Sequence, residues 1–292
     1  MLTEETPFPL SDLVIFVSAA ADMISPTMAN HHRRVALIAQ HIARAMGLPE
    51  RAEHSLVMAS LIHDIGALSL KERLSLLNFD EGFTGRMHNR HSEVAFRLFR
   101  DFQPLQEEVR IIRFHHAWWN GEVDHAIDST LVPVESHILH LADRIDILLK
   151  TGGFDHTGRE DVIARVRDER GRMFSPELVD VFCDLALRES FWYEITLDGF
   201  LGSSSRLPVS RGIDTEGLIE LSRIYCRIID FRSRFTATHS SGVAAVTETL
   251  ARDLSLPDTV CRKLIVAGYL HDLGKLAVPG EILDKPAPLD SR

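Results

Sequence analysis

Cysteine is scarce in this chain of 292 residues, with three thiols at Cys183, Cys226 and Cys261. They are too few and too far apart for a disulfide framework, and no Cys-x-x-Cys pair offers a metal knuckle. They are expected to be buried thiols of a reducing compartment. Long apolar runs are also missing, since a membrane span needs roughly 18–20 apolar residues. Leu13 to Ala21 is apolar, but Asp12 and Asp22 close it off and no basic stretch precedes it, so it does not read as a signal peptide. Positive charge is in deficit: 32 Lys and Arg stand against 42 Asp and Glu, a formal charge of −10. With no basic stripe to offset that balance, a general grip on nucleic-acid backbone is not expected. The chain is therefore expected to be cytoplasmic, with neither a membrane nor a nucleic acid as partner.

Histidine is what the chain has in excess. There are 15, and 13 of them precede residue 160. Histidine is the commonest metal ligand and the usual acid or base near neutral pH, so a cluster in one half needs an explanation.

A repeat organises the molecule. A shift of 208 residues superposes His31 on His239, Val35 on Val243, Ala43 on Ala251, Leu48 on Leu256 and Pro49 on Pro257. The match continues through Ala59 on Ala267, His63 on His271, Asp64 on Asp272 and Gly66 on Gly274, and upstream Asp22 and Ser25 fall on Asp230 and Ser233. Hydrophobic periodicity alone would not align His, Asp, Gly and Pro, so two copies of one unit are present.

Helical spacing recurs in both. Val35, Ile38, Ala39, Ile42 and Met46 follow the i, i+3, i+4, i+7 pattern, Gly47 supplies a stop, and Pro49 opens a second helix that runs to His63-Asp64. Val243 to Leu254 and Pro257 to Leu270 repeat this. Further helices are predicted over Glu93–Phe102, Leu105–His115, Val134–Leu149, Pro176–Phe191 and Gly217–Phe231, and no run shows sustained period-2 alternation. The fold class is all-α. At about 100–200 residues per domain, one or two domains are expected. The Gly/Ser/Pro-rich stretch 199–212 divides a first unit, 12–198, from a partial second unit, 213–292. Positions 208 residues after His91, His115, His116 and Asp143 all lie beyond Arg292, so the second unit cannot match the first there.

Five places then carry chemistry: His31, His63-Asp64, His91, His115-His116 and Asp143. One carboxylate can bridge two cations while imidazoles fill the remaining positions. Imidazole with carboxylate suits Fe, Mn, Zn, Ni or Co better than Ca or Mg. Two such ions close together polarise a phosphoryl group and lower the pKa of a shared water.

The ordered set H…HD…H…HH…D resembles the HD superfamily of metal-dependent phosphohydrolases, and within it the HD-GYP subfamily. The likeness rests on HHRRVALIAQHIARAMGL, LIHDIGALSL, MHNRHSEVAFRLF, IIRFHHAWWNG, HILHLADRIDILL and GRMFSPELVDVF, then on FRSRFTATHSSGV and YLHDLGKLAVPGEILDKPAPL. It implies an HD-type helical bundle with a dinuclear centre, in which His31, His63 and Asp143 serve one metal, His91, His115 and His116 the other, and Asp64 bridges and carries catalysis. Fe or Mn is the leading pair, with Zn, Ni or Co as alternatives. Members with a third metal hold it through a carboxylate four residues before the first histidine. Thr27 stands there, so two ions are expected. The resemblance further implies hydrolysis of cyclic di-GMP, a bacterial second messenger, or of a related phosphoester.

Departures from the family pattern are specific. The lysine of HDxGK is Ala67 in the first unit, and the HHExWDGxGYP stretch reads HHAWWNGEVDH, with Ala117, Asn120 and Glu122-Val123-Asp124 replacing Glu, Asp and Gly-Tyr-Pro. The second unit keeps His239, His271, Asp272 and Lys275 but lacks the later ligands. A catalytically degenerate module that senses a cyclic dinucleotide or serves as an interaction scaffold is the alternative of a different class. Trp119 and Arg144 are candidate substrate contacts, against core packing for Trp119 and an exposed ion pair for Arg144. The mixed-sign run from Arg165 to Arg172 reads as a solvated helix face. His32, His41, His54, His88, His125, His137, His140 and His156 fall outside the pattern; His32 is ambiguous because either member of His31-His32 could point inward. Apolar faces left by an incomplete second bundle would dock on the first unit or on a second chain, making a homodimer through the second unit conceivable.

Overall fold

A computed structural model describes residues 7–22, 29–67, 89–121, 132–196, 211–230, 238–278 and a few further positions up to 287. The chain is helical throughout, apart from one two-residue strand pair among the described residues. Most of the predicted linker, together with Thr27, His88, His125 and Glu122-Val123-Asp124, lies outside the described residues.

Two amphipathic helices form the nucleus of each repeat. In the first, α2 (His31–Ala45) packs against α3 (Glu50–Ile62). The predicted stripe Val35, Ile38, Ala39 and Ile42 is wholly buried. Gly47 ends α2 in the left-handed region at φ +71°, donating to the Arg44 carbonyl (3.0 Å), while Leu48 donates to that of Ala43 (3.0 Å). That pair of bonds satisfies carbonyls which the helix end would otherwise orphan. The rest of the first bundle is α1 (Leu10–Asp22), α4 (Asn89–Phe99), α5 (Gln106–Arg113), α6 (Val134–Gly152), α7 (His156–Asp168), α8 (Pro176–Ala186) and α9 (Glu189–Thr196). Helix α2 lies at the centre, touched by α3, α6, α8 and α9. Its burial on several sides matches the nearly continuous apolar run from Val35 to Ile42, which Gln40 and His41 alone interrupt.

The expected single helix from Pro176 to Phe191 is two. Ser175 caps α8 by accepting from the Leu178 amide (3.2 Å), and the chain breaks at Leu187–Arg188, where the Trp192 indole donates to the Ala186 carbonyl (2.8 Å). A side chain thus takes over a carbonyl that the helix no longer uses.

The second unit contributes α10 (Thr215–Asp230), α11 (His239–Asp253), α12 (Asp258–Leu270), the 3-10 turn Leu273–Ala277 and a single turn α13 (Gly280–Leu283). It is docked on the first. Leu221, Ile224, Tyr225, Ile228 and Ile229 of α10, with Leu273 and Leu276, belong to the same continuous apolar core as α1–α9. Helix α1 packs on the 3-10 turn. Just before α1, β1 (Phe8–Pro9) pairs antiparallel with β2 (Gly212–Ile213), and Leu10 donates to the Arg211 carbonyl (3.0 Å). Among the described residues no helix is long and apolar enough to cross a membrane.

Candidate metal centre

Five segments converge on the first bundle's interior. His31 opens α2, His63 closes α3 with Asp64 in the turn after it, His91 lies on α4, His115-His116 follow α5, and Asp143 lies on α6. The chain turns sharply after Asp64 because Ala67 donates back to its carbonyl (2.9 Å). Gly66 is required there: a Cβ would stand 2.0 Å from the His91 carbonyl oxygen. The glycine of the His-Asp-x-Gly segment therefore lets α4 bring His91 against Asp64.

All seven predicted ligands meet, and His116, at 7% exposed, is the most open of them. Asp64 stands between two groups. Its Oδ2 is 3.6 Å from His31 Nε2, while its Oδ1 is 3.5 Å from His63 Nε2 and 3.2 Å from His91 Nε2. Asp143 Oδ1 lies 3.4 Å from His31 Nε2 and 3.7 Å from His63 Nε2. On the other side, His91 Nε2 is 3.3 Å from His115 Nε2 and 3.1 Å from His116 Nε2.

Those spacings test the site for cations. Ligand atoms about 2.1 Å from one ion lie about 3.0–3.4 Å from one another, which is the range seen across most of the cluster. Most Nδ1 atoms are already held: His31 donates to Asp146 (2.7 Å), His63 to the Ser60 carbonyl (2.9 Å) and His115 to the Ile112 carbonyl (2.6 Å). Fixing one ring nitrogen as donor leaves the other as a lone pair, the arrangement a ligating imidazole needs. His63 Nε2 is accordingly buried with no hydrogen-bond partner among the described residues. Nitrogen and carboxylate donors in these two groups, His31-His63-Asp64 and His91-His115-His116, fit divalent transition ions.

The charges are strongly coupled. Burial pushes Asp64 up, but His63, His31 and His91 outweigh it and hold the carboxyl well below its usual range. Burial likewise opposes ionisation of Asp143, and Arg144 with His63 overcomes it. For His31 burial pulls downward, yet Asp146 and Asp64 raise the imidazole to about 9. His115 and His116 go the other way, lowered well below the ordinary value by burial and by neighbouring imidazoles.

Arg144 differs from expectation. It is buried, not exposed, and donates to Asp143 Oδ2 through Nη2 (2.5 Å) and Nε (3.1 Å). It neutralises the ligand carboxylate from behind, because α6 is enclosed on most sides by the bundle. Trp119 is 46% exposed with its ring 5.3 Å from that of His137, whereas Trp118 and Ala117 are buried beneath it. Ala67, where the family pattern has lysine, is wholly buried. Asp146 is a further residue of the site, outside the ligand pattern. It accepts from His31 and from Arg34 Nε (2.5 Å), with Lys150 Nζ 3.3 Å away. Its spacing of three from Asp143 puts both on one face of α6, a signal legible in LADRIDILL.

The second unit brings His239, His271 and Asp272 together as well, with His239 and His271 Nε2 3.5 and 3.2 Å from Asp272 Oδ2. Both histidines are exposed, and Lys275 Nζ sits 2.5 Å from that same oxygen.

Two family models described as HD domain match this chain, over residues 28–148 and 223–291. Among curated proteins, the 3'3'-cGAMP-specific phosphodiesterase 1 of Vibrio cholerae is 26% identical over 284 residues, 94% of this chain and 65% of its own length. The 3'3'-cGAMP-specific phosphodiesterase 3 of that organism is 26% identical over 341 residues, 99% of this chain and 73% of its own length. A cyclic di-GMP phosphodiesterase of Thermotoga maritima is 25% identical over 189 residues, covering 62% of this chain and half of that one. A crystal structure of a cyclic GMP-AMP specific phosphodiesterase of V. cholerae superposes with a TM-score of 0.74 at 25% identity, covering 98% of this chain and 75% of that one.

Proposed function

The chain belongs to the HD-domain family, and from that premise we propose that it is a metal-dependent phosphodiesterase acting on a cyclic dinucleotide at the buried centre of its first unit. The observation that carries this reading is Asp64, whose carboxylate lies within 3.6 Å of His31 and His63 of one group and 3.2 Å from His91 of the other. His31, His63 and Asp143 would hold one ion, His91, His115 and His116 the other, and Asp64 would bridge them. When bound, two divalent ions polarise a phosphoryl group and lower the pKa of a water between them. Fe or Mn fits this donor set, as do Zn, Ni and Co.

The chain's own groups set the stage for that chemistry. Asp146, Ser60 and the Ile112 carbonyl fix the rings of His31, His63 and His115 so that Nε2 faces inward. Arg144 holds Asp143 ionised and in place. The exposed face of Trp119 offers a stacking surface to a base, since every base has a π-face. Cyclic di-GMP and 3'3'-cGAMP share the two phosphodiesters and purines that such a site would engage, and both are substrates named for the relatives. A second copy of the chain would meet it on the apolar face of α11, where Val246, Leu250 and Leu254 are exposed; sedimentation as a monomer at high concentration would remove that part of the reading.

The second reading, a cyclic-dinucleotide sensor or scaffold, draws on Ala67. No lysine stands where the family pattern places a phosphate contact, so binding without turnover is its signature. The deciding experiment is chromatography of cyclic di-GMP and 3'3'-cGAMP incubated with protein loaded anaerobically with Mn or Fe. Linear product that appears with the native chain and vanishes with Asp64→Ala is the expected result. Absence of product from folded, metal-loaded protein would overturn the enzyme reading in favour of the sensor.

A further inference from the structure

His32 follows His31 on α2 and stands outside the ligand pattern of the family. It is 1% exposed, as enclosed as the ligands themselves. Its Nδ1 is bonded to Oδ1 of Asp22, at the end of α1. That bond fixes the imidazole as Nδ1–H and leaves Nε2 as a lone pair, and this Nε2 is buried with no hydrogen-bond partner among the described residues. A buried lone pair without a partner is costly and calls for an occupant.

Three comparisons inside the molecule indicate which occupant. The first is the pattern of ring nitrogens: His31, His63 and His115 each have Nδ1 on an oxygen and Nε2 turned to the cluster, and His32 likewise has Nδ1 on an oxygen, with Nε2 buried. His54, His137 and His140, buried histidines outside the ligand set, are orphaned at Nδ1; His91 is orphaned there too, but its Nε2 faces Asp64 and His115. The second is spacing. The His32 ring lies 5.3 Å from that of His31 and 5.1 Å from that of His63. Ligand rings within the centre are separated by the same distances, 5.2 Å for His31 to His63 and for His91 to His115. The third is the repeat. Asp230 takes the place of Asp22 in the second unit, and there it accepts from the amide (3.2 Å) and hydroxyl (2.6 Å) of Ser240, which stands where His32 does. Tying α1-like and α2-like helices together thus needs only a serine. The imidazole in the first unit does that and has a nitrogen to spare.

We propose that His32, oriented by Asp22, is a further ligand of the cation held by His31, His63 and Asp143. Asp22 is then a positioning residue in a carboxylate–histidine–metal arrangement parallel to that of Asp146 and His31. The consecutive pair His31-His32 serves the first ion as His115-His116 serves the second. This rests on the metal-centre reading above and extends it by one ligand.

The test is metal binding read independently of turnover. Native protein, His32→Ala, Asp22→Asn and His54→Ala are loaded with Co(II), and affinity is followed by titration and coordination by the visible d–d absorption. His32→Ala is expected to weaken one of the two ions by about tenfold or more and to shift the Co(II) spectrum toward lower coordination number. Asp22→Asn, which keeps side-chain size, shifts both readouts the same way by less; His54→Ala leaves both unchanged. Native affinity and spectrum in His32→Ala would overturn the proposal, and if that variant fails to fold, native values in Asp22→Asn overturn it. A native chain that binds no metal would overturn the centre and this ligand together, whereas two tightly bound ions indifferent to His32 would overturn this ligand alone.

Discussion

Ile38 and Ile42 of α2 are wholly buried, while Val246 and Leu250, 208 residues later on α11, are 60% and 57% exposed. The helices are equally apolar at those positions; they differ in what lies over them. In the first unit α6, α8 and α9 cover α2. The contrast extends to the site. Gly66 has the backbone of α4 against it, whereas among the described residues nothing lies within 4 Å of the Cβ position of Gly274. Asp64 meets its neighbour His63 and histidines from two other segments, His31 and His91; Asp272 meets its neighbours His271 and Lys275 and one histidine from elsewhere, His239. A His-Asp turn is therefore a local product of two helices, but a cation centre is a product of the whole bundle.

Breaking the first site while sparing the second should give the largest effect. Asp64→Ala is expected to remove both ions and cut turnover by at least about a hundredfold, since cation stabilisation of a phosphoryl transition state is worth several kcal/mol. Asp272→Ala should leave metal content and turnover within a factor of about two. Equal losses would show that the second unit carries the chemistry. Next in size is the core: Ile42→Ala should destabilise by about 2–5 kcal/mol in urea unfolding, and Leu250→Ala by about 0.5 kcal/mol or less.

Gly66→Ala sharpens the comparison at the junction of fold and site. The added methyl must displace the backbone of His91, so a cost of about 1–3 kcal/mol is expected together with loss of bound metal. Gly274→Ala should do neither, which calorimetry and metal analysis of the two variants would check.

Acidity strikes the buried site in a definite direction. Burial lowers His115 and His116 well below the ordinary 6.5 and takes His140 to about 3, so the folded, metal-free chain keeps them neutral. An unfolded chain protonates them below pH 6.5, so stability falls as pH drops beneath that value, on the order of 1 kcal/mol per pH unit for each histidine. His31, raised to about 9, contributes fully below 6.5 and loses that contribution as pH climbs to 9. Thermal midpoints of the metal-free protein should peak near pH 6.5, and His140→Phe should flatten the acid limb. The smallest effect belongs to the helix stop. Ser255 occupies the place of Gly47 at φ +54°, with the same pair of bonds, from Ser255 to the Arg252 carbonyl and from Leu256 to that of Ala251. Ser255→Gly should stabilise α11 by about 0.5–1 kcal/mol in thermal unfolding.

The sequence reveals most of this where a residue type has few alternatives. Periodicity and Gly47 mark α2 and α3, the 208-residue shift marks the second pair, and histidine is unusual enough for its order to mark the ligands. Partners separated by long stretches are not legible in that way. Nothing local in Phe8–Pro9 announces a pairing with Gly212–Ile213, and Arg144 reads as an ordinary surface arginine until α6 is enclosed. Asp146 is legible only through its spacing from Asp143, and the Asp22–His32 pair is hidden for a different reason: an aspartate that orients a ring carries no spacing rule relative to the ring it orients.

The docking of α1 has a consequence in time. Its neighbours include the turn Leu273–Ala277, some 250 residues further along the chain. At about 5–20 residues per second on the ribosome, roughly 10–50 seconds pass between emergence of the helix and of the surface it covers. For that interval α1 lacks part of its seat, and a nascent chain would be open to capture by chaperones there. The first cluster of histidines can be assembled long before its outermost helix is at rest.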